Sequence, residues 1–474
     1  MARAAPLKLV DVAGGNDVES SLYEIRKKIY PRAVRGWFAR WRVALVVATQ
    51  LLFYGLPWLT WNARPAVLFD LAARKFYLFA IVFWPQDFIF LTGLLVISAL
   101  SLFLFTAVGG RLFCGYACPQ TVYTEIFMWI ERKVEGDRAQ RIKLDGGSLN
   151  ANKVGRKAVK HGLWIAIGLW TGFTFVGYFT PIRILLDEFL MFTLAPWETF
   201  WILFYGFATY GNAGWMREQV CKYMCPYARF QSAMFDPDTL IVTYDSQRGE
   251  PRGPRSKSAD YTAKGLGACV DCGICVQVCP TGIDIRRGLQ YECIGCAACV
   301  DGCNQVMNKM GYARGLIRYS TENSLKQPLS PSQMVKRVFR PRVLVYIALL
   351  GVIVCALMAT LYLRNPLKVD VIRDRASLMR ETRDGKVENV YRLQIMNTDE
   401  HAHRYLIRAS GLNAIQVTPS GPVAVAGATT QSLVVTLQID PAGVKPGGHN
   451  IMFHIEAIEQ PLLRADEKSR FFVK

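Results

Sequence analysis

The chain has 474 residues, of which 51% are hydrophobic, and its 56 Lys and Arg against 37 Asp and Glu give a formal net charge of +19. Long apolar runs together with strongly basic stretches exclude a simple soluble globular protein and indicate membrane-embedded parts that alternate with exposed ones. Because no nucleic-acid recognition motif accompanies the basic charge, we expect no nucleic-acid binding.

Five apolar runs have the length that the hydrocarbon core of a bilayer requires, and they predict five transmembrane α-helices. These runs span residues 41–61, 87–108, 161–180, 196–213 and 343–363. A further apolar run at 66–84 is interrupted by Arg74 and Lys75. We therefore expect an amphipathic or re-entrant segment there, in the first external loop.

Basic residues are concentrated in alternate segments between these runs, and this bias predicts the orientation of the chain. The N-terminal segment 1–41, the loop 111–160 and the segment 214–341 are rich in Lys and Arg, so we expect them in the cytoplasm. Five crossings then place the tail 364–474 in the periplasm. The first 40 residues are too long and too polar for a cleaved signal peptide, so the first run is expected to remain as an anchor.

The four predicted helices within residues 42–213 form two pairs, and a short cysteine motif follows each pair. The sequence Cys-Gly-Tyr-Ala-Cys-Pro begins at Cys114, and Cys-Lys-Tyr-Met-Cys-Pro begins at Cys221, an offset of 107 residues. The second cysteine of each motif lies four residues after the first, so both thiols share one face of a helical turn. The proline that follows disfavours helix at that cysteine and predicts a turn. Duplicated membrane segments often flank a shared site.

We predict a metal or redox role for the four thiols of these motifs, which belong to Cys114, Cys118, Cys221 and Cys225. Two converging thiolate pairs would suit a soft metal ion such as Cu(I). The four thiolates together could instead hold another iron-sulfur cluster. Free cysteines are also common as small buried apolar side chains, and this interpretation is the alternative to both.

Eight further cysteines form two copies of the spacing with which bacterial ferredoxins hold two [4Fe-4S] clusters. The first run, Cys-x2-Cys-x2-Cys-x3-Cys-Pro, extends from Cys269 to Pro280, and the second extends from Cys293 to Cys303, with Asn304 in place of the proline. In such pairs the fourth cysteine of each run binds the other cluster. Cluster 1 is therefore predicted on Cys269, Cys272, Cys275 and Cys303, and cluster 2 on Cys293, Cys296, Cys299 and Cys279.

Two other uses of these eight cysteines are less consistent with the sequence. Structural zinc sites use four cysteines, but they do not usually show this doubled spacing. Disulfides are not expected because the segment is predicted to face the reducing cytoplasm. We therefore predict a dicluster ferredoxin domain at about 260–310, within the cytoplasmic segment.

The tail 364–474, which follows the predicted fifth helix at 342–363, has a different pattern. Short segments of alternating polar and apolar residues, such as 390–396 and 451–457, are separated by Gly, Pro, Asn and Asp. Short strands at regular spacing predict an immunoglobulin-like β-sandwich. The predicted fold is thus a multi-domain membrane protein with five transmembrane α-helices, a cytoplasmic dicluster ferredoxin domain and a C-terminal periplasmic immunoglobulin-like β-sandwich.

In the order of these parts the chain resembles the FixG/RdxA/CcoG family of accessory proteins for cbb3-type cytochrome c oxidase. The likeness covers nearly the whole chain, from Lys28-Ile-Tyr-Pro-Arg32 through both Cys-x3-Cys-Pro motifs and the dicluster runs to the tail. The paired motifs are also similar, more distantly, to those of NapH/NosR-type membrane ferredoxins. The resemblance implies the bacterial inner membrane and reduction of Cu(II) to Cu(I) for the copper-containing subunit of the oxidase.

The expected function is therefore that of a cupric reductase, in which two [4Fe-4S] clusters supply single electrons and the four thiols of the Cys-x3-Cys-Pro motifs receive copper. The implied partners are membrane lipid, copper chaperones, assembly factors of the cbb3-type oxidase, an unidentified electron donor and a second copy of the chain in a homodimer. Two other functions stay open. One is a quinol-linked subunit that passes electrons through the clusters, and the other is a non-enzymatic scaffold for oxidase assembly.

Overall fold

The computed structural model of the protein describes residues 28–62, 64–257, 259–260, 263–327, 329–374 and 379–473. Within these residues the chain forms a helical part, a cysteine-rich part and an all-β part. Residues 1–27, which make up most of the predicted N-terminal segment, lie outside the described residues.

The helical part contains nine α-helices and, between the first two, a loop with short strands. The helices are α1 (Trp37–Gly55), α2 (Phe88–Gly109), α3 (Leu112–Tyr116), α4 (Pro119–Glu135), α5 (Arg138–Gly146), α6 (Ala151–Val176), α7 (Ile182–Leu190), α8 (Pro196–Thr209) and α9 (Pro226–Met234). Two π-helical segments, Tyr210–Met216 and Val220–Met224, connect α8 to α9. The first four predicted apolar runs coincide with α1, α2, α6 and α8.

Two helices among the described residues are long and apolar enough to cross a membrane. They are the helix at Pro85–Gly109, which includes α2, and the helix at Pro341–Tyr362, which is the fifth predicted run. These two helices pack closely, since a Cβ atom added at Gly93 would lie 2.7 Å from Cδ1 of Leu357. The count of five crossings and the orientation of the chain stay predictions.

Small residues allow α6 and α8 to pack with their backbones in contact. A Cβ atom added at Gly172 would lie 2.2 Å from the carbonyl O of Ile202, and one added at Gly168 would lie 2.7 Å from the carbonyl O of Gly206. Such close approach is typical of helices that associate in membranes, where no hydrophobic effect drives them together. This packing fixes the end of α8, from which the second Cys-x3-Cys-Pro motif follows.

The amphipathic or re-entrant segment expected at 66–84 is wrong, because these residues form a small antiparallel sheet. After the short pair β1 (Thr60–Trp61) and β2 (Arg64–Pro65), three strands follow in the order β3 (Val67–Asp70), β4 (Lys75–Leu78) and β5 (Ile81–Phe83). Arg74 lies in the turn between β3 and β4 with a φ of 54°. Lys75 donates a hydrogen bond from Nζ to the carbonyl O of Ala428, 2.8 Å away. Of the two charged residues that interrupt the apolar run, Arg74 thus forms a turn and Lys75 contacts the C-terminal part of the chain.

The cysteine-rich part has little regular structure, and its loops are held between short elements. These are β6 (Ile241–Tyr244), α10 (Ser246–Gly249), α11 (Ile274–Gln277), α12 (Ala298–Met310), β7 (Ile317–Ser320), α13 (Glu322–Lys326) and α14 (Pro331–Val338). Strands β6 and β7 pair antiparallel, so the segment before the cysteine loops is fastened to the segment after them. The apolar helix α15 (Pro341–Tyr362) follows.

The all-β part is a sandwich of two antiparallel sheets, as the alternating pattern predicts. Its strands are β8 (Leu367–Arg373), β9 (Arg380–Glu381), β10 (Val387–Asn397), β11 (His403–Ser410), β12 (Gln416–Thr418), β13 (Val423–Val425), β14 (Thr429–Ile439), β15 (Gly447–Ala457) and β16 (Arg464–Val473). One sheet has the order β12-β14-β10-β8, with β9 beside β10, and the other has the order β13-β11-β15-β16. Tyr391, Leu393 and Phe453 are buried between the sheets. The tail therefore has a packed core without a disulfide.

A buried carboxylate at the start of α2 helps to attach the sandwich to the helical part. Asp87, which immediately precedes α2, is 5% exposed and accepts a hydrogen bond from the backbone N of Trp84 at 3.0 Å. Its carboxylate also pairs with Arg364 at 2.5 Å and with Lys368 of β8. Beside this cluster, Val82 and Trp84 pack on Met396 of the sandwich. The start of α2, the end of α15 and the sandwich thus meet at this carboxylate, and the ion pair of Arg64 with Glu400 at 2.6 Å is a further attachment of the sandwich.

Replacing Asp87 with Ala is expected to loosen this attachment, because it leaves two cations at a buried contact without their counter-ion, a change that costs about 3 kcal/mol or more. We expect faster hydrogen-deuterium exchange in β3, β5 and β8 of the purified protein. The control is Asp370→Ala, which removes an exposed carboxylate from β8. Equal exchange in the two variants would mean that Asp87 does not hold the sandwich.

Candidate electron-transfer and metal site

The two ferredoxin loops have the same backbone conformation around their second cysteine. In the first loop Asp271 and Gly273 flank that cysteine with φ angles of 51° and 64°, and in the second loop Gly295 and Ala297 do so with φ angles of 67° and 56°. Left-handed residues other than glycine are costly and persist only where the surroundings hold them. Both loops are therefore bent in the same way around their thiols.

The thiols of these loops form two groups, and the fourth cysteine of each run lies with the other run. Burial raises the pKa of Cys303 to about 12, and the thiolates of the first run add to this rise. Burial likewise raises the pKa of Cys293 to about 12, with the thiolate of Cys279 among the groups that add to it. Such effects come from close neighbours. Cys303 is therefore a neighbour of the first run and Cys279 a neighbour of the second.

The surroundings of the eight thiols fit iron-sulfur clusters. Backbone N–H groups of Gly295, Ala298 and Ile317 donate hydrogen bonds to cysteine sulfurs, and hydrogen bonds to sulfur are one of the means by which proteins tune such clusters. One small cavity is lined by Cys275, Cys279, Cys293, Cys296 and Cys299. Because thiols with a raised pKa must lose their protons to bind metal, loading of these sites releases protons. The assignment of each cysteine to a cluster stays a prediction.

The two Cys-x3-Cys-Pro motifs have equivalent structures. The backbone N of Cys118 donates to the carbonyl O of Phe113 at 2.9 Å, and the backbone N of Cys225 donates to the carbonyl O of Val220 at 2.8 Å. Both bonds span five residues, and they are related by the same offset of 107 residues. Each of these cysteines precedes a helix whose first residue is the proline, α4 or α9. The predicted turns are therefore present, and the repeat is structural as well as sequential.

The four thiols of these motifs lie together. Burial raises the pKa of Cys221 to about 12, and the other three thiolates of the repeat add to this rise. Burial also raises the pKa of Cys114 to about 11, although Nε2 of the buried Gln231 lies 3.4 Å from its sulfur and favours the thiolate. The structure thus brings the four predicted residues to one place. Among the described residues, no three His, Cys, Asp or Glu side chains form a ready group for a single metal ion.

The four-thiol site is in direct contact with the second ferredoxin loop. A Cβ atom added at Gly115 would lie 2.8 Å from the carbonyl O of Ile294 and 2.9 Å from the backbone N of Cys296. Cys114 and Cys221 also pack against the apolar cluster that contains Ile294 and Cys296. Because residue 115 has no side chain, the first Cys-x3-Cys-Pro motif and the second ferredoxin loop are in direct backbone contact.

Arg111 also belongs to the four-thiol site, which the sequence did not predict. In the sequence its charge contributed only to the predicted orientation of the chain. It is 7% exposed, and its guanidinium donates to the carbonyl O of Ala228 at 2.8 Å and of Cys293 at 3.2 Å. Burial lowers its pKa, while the thiolates of Cys114, Cys293 and Cys221 oppose this effect. One buried guanidinium therefore lies between the four thiols of the Cys-x3-Cys-Pro motifs and the second ferredoxin run. Its positive charge favours the thiolate form on both sides.

Two cysteines differ from the rest in their surroundings. Cys272 is the exposed member of the first ferredoxin run, so the edge of that group reaches the protein surface. Cys355 lies in the middle of α15 and is exposed on the described structure. Cys355 is distant in the fold from the other thiols, so its replacement is a control for substitutions at the site.

Known proteins with a similar sequence support the same organisation. Over 461 residues the chain is 38% identical to the nitrogen fixation protein FixG of Rhizobium meliloti, and the match covers 90% of this chain and 87% of FixG. The chain belongs to the FixG family. The protein RdxA of Cereibacter sphaeroides is 40% identical over 413 residues, which cover 84% of this chain and 86% of RdxA.

Family models match three parts of the chain. A 4Fe-4S dicluster domain matches residues 216–322, a 4Fe-4S binding domain matches residues 91–135, and the Ig-like fold at the C-terminus of FixG matches residues 357–474. The ferredoxin-type protein NapH of Haemophilus influenzae is 24% identical over 232 residues, which cover 46% of this chain and 68% of NapH, in agreement with the more distant resemblance. This FixG-family chain is thus an iron-sulfur electron-transfer protein, and its two apolar helices fit a membrane protein.

The crossing of the fourth cysteines in this FixG-family protein can be tested by single replacements. Cys303→Ala is expected to remove the same EPR signal as Cys269→Ala, and Cys279→Ala the same signal as Cys293→Ala, because each pair faces one group of thiols. Each variant should lose about four iron atoms per chain, while Cys355→Ala should lose none. If Cys303→Ala and Cys293→Ala lost the same EPR signal, the crossing would be contradicted.

Proposed function

We propose that this FixG-family protein reduces Cu(II) to Cu(I) at Cys114, Cys118, Cys221 and Cys225. The observation that supports this most directly is the contact of Gly115 with the backbone of Cys296, which joins the four-thiol site to the ferredoxin loops. Iron-sulfur clusters, when bound, supply single electrons, and copper reduction consumes one electron per ion. Copper is the substrate of this reaction and not a resident cofactor.

The thiols determine the direction of the proposed reaction. Thiolates are soft ligands that favour Cu(I) over Cu(II), so four of them stabilise the product relative to the substrate. Arg111 offsets part of the negative charge that the thiolates bring to this buried place. Gln231 holds the sulfur of Cys114 in position through its side-chain amide.

A small cavity next to the thiols offers a place for the incoming ion. It is lined by Cys221 and Cys296, by Glu125 and Glu218, and by Arg42 and Arg217. Glu125 pairs with Arg42 at 3.9 Å and with Arg132 at 3.4 Å. Carboxylates are harder ligands than thiolates and suit Cu(II) better. An ion that displaces these arginines from Glu125 and then binds the thiolates would change ligands as it changes oxidation state.

The wider role that we propose is the supply of Cu(I) for assembly of a cbb3-type cytochrome c oxidase at the bacterial inner membrane. The cysteines would face the cytoplasm and the sandwich the periplasm. Copper chaperones, oxidase assembly factors, membrane lipid and a second copy of the chain are the proposed partners. The attachment of the sandwich at Asp87 gives such factors a surface in a fixed position relative to α2.

A second candidate for the same thiols is a further iron-sulfur cluster. The 4Fe-4S binding domain model that matches residues 91–135 covers Cys114 and Cys118 and includes no ligand of the dicluster runs. Anaerobic iron analysis separates the candidates, since two clusters give about eight iron atoms per chain and three give about twelve. About twelve iron atoms would place a cluster where we propose copper.

The copper proposal predicts that Cys225→Ala loses cupric reduction. The purified protein is reduced anaerobically with dithionite, freed of excess dithionite by gel filtration and then mixed with Cu(II). The rate of Cu(I) formation in Cys225→Ala should be lower by about tenfold or more, since even replacement of a residue that only supports a metal ligand costs that much at metal sites. Cys355→Ala is the control and should keep the full rate. Unchanged turnover in Cys225→Ala, with cluster content intact, would remove the thiols from the mechanism.

The contact at Gly115 predicts a second effect. Gly115→Ala introduces a methyl group into the space between the two groups of cysteines and must push them apart, so we expect copper reduction to slow by roughly tenfold. Gly155→Ala is the matched control, because a Cβ atom at Gly155 would meet nothing within 4 Å. Both variants should keep the iron content of the parent protein. Equal rates in the two variants would show that the contact does not matter.

A further inference from the structure

A groove of about 920 Å³ lies between α1 and α2, next to the cysteine-rich part. Its walls are apolar, with Trp41 from α1 and Leu102 and Phe105 from α2. Ser98 and Ser101 line the same wall of α2 and leave room there because their side chains are small. Trp41 and Phe105 are each about half exposed, so the groove is open to the surroundings of the two helices.

Two phenol groups form the floor of this groove. Tyr116 belongs to the first Cys-x3-Cys-Pro motif, and Tyr319 belongs to β7. Their hydroxyl oxygens are 3.3 Å apart. The hydroxyl of Tyr319 donates to the carbonyl O of Gly295, the residue directly before Cys296. The floor of the groove is therefore one hydrogen bond and one peptide unit away from a predicted ligand of cluster 2.

The direction of these hydrogen bonds determines what the floor can bind. Because the single proton of the Tyr319 hydroxyl is used on Gly295, its oxygen accepts the bond from Tyr116. The hydroxyl proton of Tyr116 is then used as well, and its oxygen retains a lone pair that can accept. The floor thus offers a hydrogen-bond acceptor at the end of an apolar groove.

We infer that this groove binds an isoprenoid quinol. A quinol has an aromatic ring that fits between Trp41 and Phe105, a hydroxyl that can donate to Tyr116, and a long apolar tail that needs an opening between helices. An acyl chain of a phospholipid would fill the walls but has no donor for the floor. This inference rests on the electron-transfer part of the proposed function. A quinol bound in the groove would be the electron donor, which the proposed function leaves unidentified.

The redox step balances with the groups that the chain provides. Oxidation of one quinol to the quinone breaks two O–H bonds and releases two electrons and two protons. Two [4Fe-4S] clusters, when bound at the predicted sites, would accept one electron each. The two protons are released to water, and no other oxidant is required.

The inference can be tested by photolabelling of the full chain in phospholipid nanodiscs with an azidoquinone. We expect label on the peptide that contains residues 98–105, and displacement of the label by decylubiquinol. Leu102→Trp should weaken labelling, because the larger indole narrows the groove at the wall formed by α2. Tyr116→Phe should weaken displacement by the quinol about fivefold, as for one lost hydrogen bond. Tyr223→Phe is the matched control, since Tyr223 is the repeat counterpart of Tyr116 and is 50% exposed.

A second measurement separates this inference from the copper proposal. Anaerobic decylubiquinol should reduce the clusters of the parent protein, seen by EPR, and should do so several-fold more slowly in Leu102→Trp. Dithionite should reduce the clusters in both. Label outside α1, α2 and the floor residues, equal displacement in Tyr116→Phe and Tyr223→Phe, or quinol that binds without reducing the clusters would overturn the quinol site. If protein reduced by dithionite and then freed of it does not reduce Cu(II), the function proposed for the thiols is overturned instead.

Discussion

The close approach of two backbones at Gly115 and Cys296 is the constraint on which the rest of the site depends. Glycine is required at position 115 because any side chain would collide with the second ferredoxin loop. Gly295 adopts a positive φ of 67° in the same loop and lies against the backbone of Arg111. Arg111 in turn ties the loop to α9 through the carbonyl O of Ala228. The two groups of cysteines therefore form one rigid unit, although they are far apart in the sequence.

The repeat that supplies the four thiols is symmetrical in its cysteines and turns and asymmetrical in the contacts of the residues between the cysteines. The first motif carries Gly115 and Tyr116, which meet the ferredoxin loop and Tyr319. At the equivalent positions the second motif carries Lys222 and Tyr223, and Tyr223 is largely exposed. The duplicated halves thus provide equivalent thiols, while the close backbone contact with the second ferredoxin loop belongs to the first half. Cys221 of the second half reaches the same loop through side-chain packing.

The sequence predicts those features that depend on spacing and misses those that depend on distant contacts. The crossing of Cys279 and Cys303 follows from a doubled spacing, and the turns at the two prolines follow from local sterics. The sheet within 66–84 was missed because a charged break in an apolar run looks the same in a helix and in a hairpin. Arg111 was missed because a basic residue at a membrane boundary already has an explanation. Tyr319 lies 203 residues from its partner Tyr116, and no local pattern marks such a pair.

The helix α2 connects the attachment of the sandwich to the thiols and sets the distance between them. It has 22 residues and is therefore about 33 Å long. Asp87, which precedes its N-terminal end, is held by its ion pair with Arg364. Arg111 and Cys114 follow its C-terminal end, and Arg111 is held by its hydrogen bond to Cys293. A helix fixed at both ends behaves as a strut: one added residue would rotate the thiols by about 100° relative to the sandwich. A bilayer of different thickness would then be accommodated by tilting of the whole assembly, since the strut itself cannot change length.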